Sequence, residues 1–172
     1  MANSLESGAW GLARARNTAR EIEQDRRAVR SLVETMFSEQ PELRKRAADV
    51  ARRITERDPA PLQPFADELA GLLAEVPVEE SRTRWHLGLV VARVAHTRDQ
   101  RLRAARLMEL LIGEESNVVR CSSVEGIGLL AAEEPSLRGV AEEMIEQVLR
   151  DGTCAMKARA RHARRRLDRA KK

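Results

Sequence analysis

Aromatic residues are almost missing from this 172-residue chain, which holds two Trp, two Phe and no Tyr. A core without rings has to be assembled from Leu, Val, Ile, Met and Ala, and side chains of that size favour many thin helix–helix contacts. Cysteine is equally scarce. Cys121 and Cys154 are the only two, which excludes a disulfide framework and fits a reducing cytoplasm. Nine glycines and six prolines are too few for a collagen-like or low-complexity polymer. The longest apolar run, Leu87 to Ala92, falls far short of the ~20 residues that cross a bilayer. Met1 to Trp10 has no basic start followed by an apolar stretch, so no secretory signal is expected. Alternating Val, Ile or Thr is also absent, and with it any strand signal.

What remains is a helical period. Hydrophobic residues make up 42% of the chain, enough for one domain with a real core. Residues 1–17, rich in Ser, Gly and Asn, show no sustained period and read as an N-terminal arm. From Thr18 onward, Ile22, Val29, Leu32, Val33 and Met36 recur at three and four, with a possible break near Arg26. Pro41 suits the first position of the next helix, and Asp58-Pro59-Ala60-Pro61 ends it. Pro77, Gly113, Pro135 and Asp151-Gly152 punctuate the rest in the same way. The pattern predicts an all-α domain over 18–169, made of helix pairs at about 18–57, 61–95, 99–131 and 136–169.

The pairs share an internal repeat. Leu43-Arg44-Lys45-Arg46, Ser81-Arg82-Thr83-Arg84, Val119-Arg120-Cys121-Ser122 and Met156-Lys157-Ala158-Arg159 put a basic residue at 44, 82, 120 and 157, spacings of 38, 38 and 37. Such a period marks a stacked array whose units bury their apolar sides against one another. Acids precede each copy: Glu39, Glu79 and Glu80, Glu114 and Glu115, Asp151. Helix, acidic turn, and a second helix opening on an apolar residue and arginine resemble a HEAT repeat. Arg46-Ala47-Ala48-Asp49-Val50, Arg84-Trp85-His86-Leu87 and Ala155-Met156-Lys157-Ala158-Arg159 look like segments of small bacterial HEAT-repeat proteins, a resemblance running over about residues 28 to 167. It implies a right-handed α-α superhelix of about four helix pairs whose second helices line a concave face.

Several contacts are expected on that basis. Arg82 and Arg120 should bridge to acids or turn carbonyls of neighbouring repeats. Gly88 and Gly126, each six residues past a repeat start, should mark places where a neighbouring helix comes close. Trp85 reads as a core residue, with the alternative that its indole edge reaches the groove and anchors a ligand beside His86. Non-core offsets of two and nine give the groove columns Arg46, Arg84, Ser122, Arg159 and Arg53, Val91, Leu129, Arg166.

Catalytic chemistry finds little foothold. His86, His96 and His162 have no metal-ligand spacing with each other or with the cysteines. Gly126-Ile127-Gly128 follows no strand and sits inside a helical period, unlike a phosphate loop. Ser122 and Ser123 lack a nucleophile elbow. No catalytic residue, metal site or cofactor is expected.

Charge points to a surface instead. The net charge is +4, but from Lys157 to Lys172 nine basic residues face the single acid Asp168. The groove columns are basic at both ends, with Val91 and Leu129 near Leu87 in the middle, which reads as a protein contact with a charged rim. The function expected is a monomeric cytoplasmic scaffold that binds a protein partner through Arg46, Arg53, Arg84, Leu87, Val91, Leu129, Arg159 and Arg166. The alternative is a nucleic-acid-binding protein, since HEAT-like folds include DNA glycosylases that hold a duplex in a basic concave face.

Overall fold

The computed structural model describes Leu5 and residues 10–170. Among them the chain forms nine α-helices and no strand: α1 Leu12–Ile22, α2 Arg26–Met36, α3 Pro41–Arg57, α4 Ala66–Glu75, α5 Ser81–Val94, α6 Arg98–Leu111, α7 Asn117–Glu133, α8 Arg138–Asp151 and α9 Cys154–Arg169. Short 3₁₀ turns at Gln63–Phe65 and Pro135–Leu137 lead into α4 and α8. None of the helices is long and apolar enough to cross a membrane.

Local chemistry sets the boundaries. Asp25 caps α2 by accepting from the Arg27 backbone N–H at 2.8 Å, which divides the residues before Pro41 into two helices. Pro41 opens α3 at a position whose N–H would have no partner. Thr97 and Gln100 form a capping box at α6, and the Thr153 hydroxyl accepts from the Met156 N–H at α9.

The first helix starts earlier than the sequence period suggests. Residues 12–17, assigned to the arm, lie in α1, where Ala15, Thr18, Ala19 and Ile22 are buried. Small apolar residues among arginines give a weak period, so this helix was hidden in the sequence. The remainder of the arm falls outside the described residues except for Leu5, Trp10 and Gly11, of which Leu5 is fully buried.

Packing divides the helices into two rows. The junctions α3 with α5, α5 with α7, and α7 with α9 are the most extensive in the molecule. On the other side stand α2, α4, α6 and α8, each packed on the helix that follows it; among themselves only α4 and α6 meet closely. Helix α1 leans on α3 more than on α2 and so extends the first row.

Glycine explains why the first row is tight. A Cβ on Gly88 would lie 3.0 Å from Ser122 Oγ and 3.1 Å from Leu111 Cδ1, and one on Gly126 would lie 3.3 Å from the Ala92 Cβ. Gly128 is tighter still, with the Ala163 Cβ at 2.6 Å and its Cα at 3.0 Å. These three positions let α5 approach α7 and α7 approach α9, the close approach expected at Gly88 and Gly126, although the two glycines do not occupy equivalent positions counted from the helix starts.

Candidate functional site

The helices of the first row begin at Pro41, Ser81, Asn117 and Cys154. The fourth residue of each is Arg44, Arg84, Arg120 and Lys157. This column, and not the evenly spaced one containing Arg82, is the structural repeat. Arg44 donates to the Ser38 carbonyl, and Arg84 donates to the Leu73 carbonyl at 2.9 Å and to that of Val76. Lys157 donates to the Arg150 carbonyl at 2.9 Å. Arg84 and Lys157 thus cover carbonyls at the end of the preceding helix, where the dipole favours positive charge, and Arg44 covers one in the turn just beyond it. Arg44 also holds Glu80 in a two-point ion pair, and Arg84 holds Glu114, so both reach into the turn of the next pair.

The bridging expected of Arg82 and Arg120 therefore falls to Arg44 and Arg84. Arg82 is exposed and has no ion pair among the described residues, and the buried Nε of Arg120 has no hydrogen-bond partner among them. The turn before α5 places its helix start so that the residue aimed at the preceding helix is Arg84, two positions beyond the evenly spaced one.

That two-residue shift moves every groove assignment in the second copy. Arg84, expected in the groove, is buried between helix ends. Leu87 and Val91, expected at its apolar centre, are core residues, exposed by 0% and 1%. Counting two residues further gives His86, Leu89 and Arg93, of which His86 and Leu89 are also buried and Arg93 is half-buried. The true columns run Arg46, His86, Ser122, Arg159 and Arg53, Arg93, Leu129, Arg166. The first is mixed: His86 and Ser122 are buried, Arg46 is half-buried and Arg159 is exposed. All four members of the second are half-buried and line one face of the row. A cavity of about 820 Å³ crosses all four helices there, touching Glu56, Arg93, Glu125, Leu129, Arg166 and Arg169.

The face is held together by a polar cluster. Asp49 on α3 accepts from Trp10 Nε1, Arg52 Nη2 and Arg53 Nη2, each at 3.4 Å. Arg53 Nε lies 3.0 Å from Asp49 Oδ1 at an angle that makes it an ion pair without a hydrogen bond. His86 Nε2 stands 4.0 Å from the same oxygen. Burial pushes the His86 imidazole down to about 4, against the pull of Asp49 and helped by Arg52, Arg53 and Arg82, so it is neutral at pH 7. Trp85 stacks on His86 at 4.3 Å between centroids, and the Arg52 guanidinium lies 5.8 Å above its ring. Trp85 is thus half-buried at the edge of the core, not a filler inside it. Arg46 is pinned by the Leu5 carbonyl at 2.7 Å and by Glu42.

Farther along, Glu125 on α7 faces two arginines, Arg93 at 3.8 Å and Arg159 at 3.0 Å. Arg93 also donates to the Arg52 carbonyl, and burial lowers its affinity for its proton, with Glu125 opposing that effect. Arg166 and Arg169, on the same stripe of α9 as Arg159, border the cavity without an ion pair among the described residues.

Charge is partitioned between the rows. Helices α3, α5, α7 and α9 carry 17 Lys or Arg and 6 Asp or Glu, while α2, α4, α6 and α8 carry 9 and 10. No cluster of His, Cys, Asp or Glu among the described residues has the arrangement of a metal site. Compared with protein-family models, with curated proteins and with solved structures, the chain matches none. Sequence spacing found Arg46, Arg53, Leu129, Arg159 and Arg166 of this face but missed His86 and Arg93. Counting from the helix start after Pro77 and the acidic turn, in place of counting between arginines, would have found both.

Proposed function

We propose that this protein is a non-catalytic scaffold of HEAT-like helix pairs, coiled as a right-handed superhelix, which presents the face of α3, α5, α7 and α9 to an anionic macromolecule. In a curved stack the row whose helices approach most closely lies on the inside, and here that row is also the basic one. The observation that carries the proposal is the charge partition, 17 basic residues to 6 acids on one row against 9 to 10 on the other. Of the 17, Arg44, Arg84 and Lys157 point at turn and helix-end carbonyls, Arg57 at Glu23 and Arg164 at Glu146, while Arg53, Arg93, Arg166 and Arg169 lie along the half-buried column and its cavity. Surplus positive charge there raises the local concentration of anionic partners and steers their approach. The apolar groove centre that favoured an ordinary protein interface has gone, because Leu87 and Val91 are core and Leu129 alone remains at the surface.

Two variants of equal charge test this. Arg82→Glu/Arg166→Glu/Arg169→Glu alters the basic row, and Arg98→Glu/Arg103→Glu/Arg106→Glu alters α6 in the other row. On an immobilised polyanion at low salt, the first should elute well before the unaltered protein and the second close to it. Equal retention of the two variants would sink the proposal.

A further inference from the structure

Resting on that proposal, we infer that the anionic partner is duplex nucleic acid, held by its phosphate backbone along the row face, with Arg82, Arg166 and Arg169 making phosphate contacts beside Arg93. The leftover cations, the arginine bias and the missing apolar centre favour this over an acidic protein, and dimensions and aromatics favour the duplex over a single strand.

Four of the six acids on this row are already matched; Glu133, which borders the cavity, and Asp168 have no ion pair among the described residues. Asp49 is held by Arg52 and Arg53, Glu56 by Arg52, Glu125 by Arg93 and Arg159, and Glu42 by Lys45 and Arg46. They fix the orientation of their arginines and leave others over. Arg82 stands one helical turn before His86 on α5 and borders a hollow at the helix starts with Pro41, Glu42 and Lys45, while Arg166 and Arg169 border the cavity at the other end of the row.

The cations are of the kind that suits phosphate. Of the 17 basic residues in the row only Lys45 and Lys157 are lysine, and the guanidinium fork matches two phosphate oxygens at once. Protein–protein interfaces need an apolar centre, which the burial of Leu87 and Val91 removes. Protein–nucleic-acid interfaces are polar and strongly basic.

Dimensions and aromatics favour the duplex form. Three interhelix steps of about 9 Å make a face about 27 Å long, matching about eight base pairs at 3.4 Å each. A single strand would want a series of stacking rings, and the face offers two that are already engaged: Trp85, stacked on His86 beneath Arg52, and Trp10, which donates to Asp49 and lies under Arg14 and Arg46.

The test is fluorescence anisotropy with a labelled DNA duplex of about 20 base pairs, the same sequence as a single strand, and poly-L-glutamate as competitor. With about four phosphates neutralised, the log–log salt slope should be near −3.6, so affinity for the duplex falls about a hundredfold between 50 and 200 mM salt. Arg82→Ala/Arg166→Ala/Arg169→Ala should bring the slope to about −0.9 while circular dichroism stays unchanged. If the triple variant loses helicity, Arg169→Ala alone, at an exposed position, should still reduce the slope by about 0.9. Tighter binding of the single strand, or undiminished duplex binding by the folded variant, overturns the inference. Binding of poly-L-glutamate without binding of the duplex overturns it too, yet leaves the anionic-partner proposal standing. If neither polyanion binds at 50 mM salt, both fall.

Discussion

The two rows of helices use the same residue types to opposite ends. In the close-packed row, glycine makes room: Gly88, Gly126 and Gly128 each have a neighbouring side chain where their Cβ would be. In the other row, Gly71 and Gly139 face open space and only weaken their helices. Arginine divides likewise. Arg84 is buried on carbonyls and a carboxylate, whereas Arg103 meets Asp67 in an ion pair whose partners are 56% and 61% exposed. Residue type alone therefore says little about worth here; what matters is whether a second helix lies on top.

Five measurements break or sharpen that contrast. Arg84→Ala should cost the most, about 3–5 kcal/mol in denaturant unfolding, because it strands Glu114 and two helix-end carbonyls away from water. Next is acid titration. The unfolded His86 takes up its proton near 6.5 and the folded one only at about 4, so its contribution to stability is complete above pH 6.5 and is lost as pH falls towards 4. Stability should drop by up to about 1.4 kcal/mol per pH unit across that window, and His86→Asn should flatten it. Below the ordinary carboxylate range Glu42 and Glu80, whose pKa values are lowered chiefly by hydrogen bonds from Lys45 and Arg44 respectively, add to the loss.

Gly128→Ala comes third. The gain in helix propensity, up to about 1 kcal/mol, is outweighed by pressing a methyl against the Ala163 backbone, and thermal melting should show a net loss of about 1–3 kcal/mol. Gly71→Ala in the open row should do the reverse, raising stability by about 0.5–1 kcal/mol. Smallest of all, Arg103→Ala should change the unfolding free energy by less than about 0.5 kcal/mol, since its ion pair is screened by water. A Gly128→Ala variant as stable as Gly71→Ala would erase the distinction between the rows.

Much of the helical organisation was legible in the sequence, because proline, glycine and acidic turns sit at the ends of most helices. Pro41 starts α3, Pro77 precedes α5 and Pro135 leads into α8. The start of α1 was not, since Ala13, Ala15 and Ala19 among arginines carry little periodic signal. The site was misread for a different reason. Equal spacing of arginines put Arg82 in the column that Arg84 occupies, and on a helix two residues turn a side chain by about 200°. One such slip was enough to turn a basic groove centre, Arg93, into an apolar one, Val91. Cross-helix pairs such as Arg44 with Glu80 also lie beyond sequence periodicity, because they depend on how neighbouring pairs stack.

The clasps made by Arg44 and Arg84 carry a consequence for cooperativity. Each ties the end of one helix to the turn of the next pair, so opening a unit means breaking a bond owned by its neighbour. In a linear array that is a coupling term between adjacent units, and the terms are unequal here: the chain of clasps ends at Arg120, whose Nε is unpartnered, and Lys157 reaches back only to Arg150 within its own pair. Without such a clasp the pair α8–α9 depends on its packing against α7 and on the Arg159–Glu125 ion pair, and its amide protons should exchange ahead of those in α3 to α7.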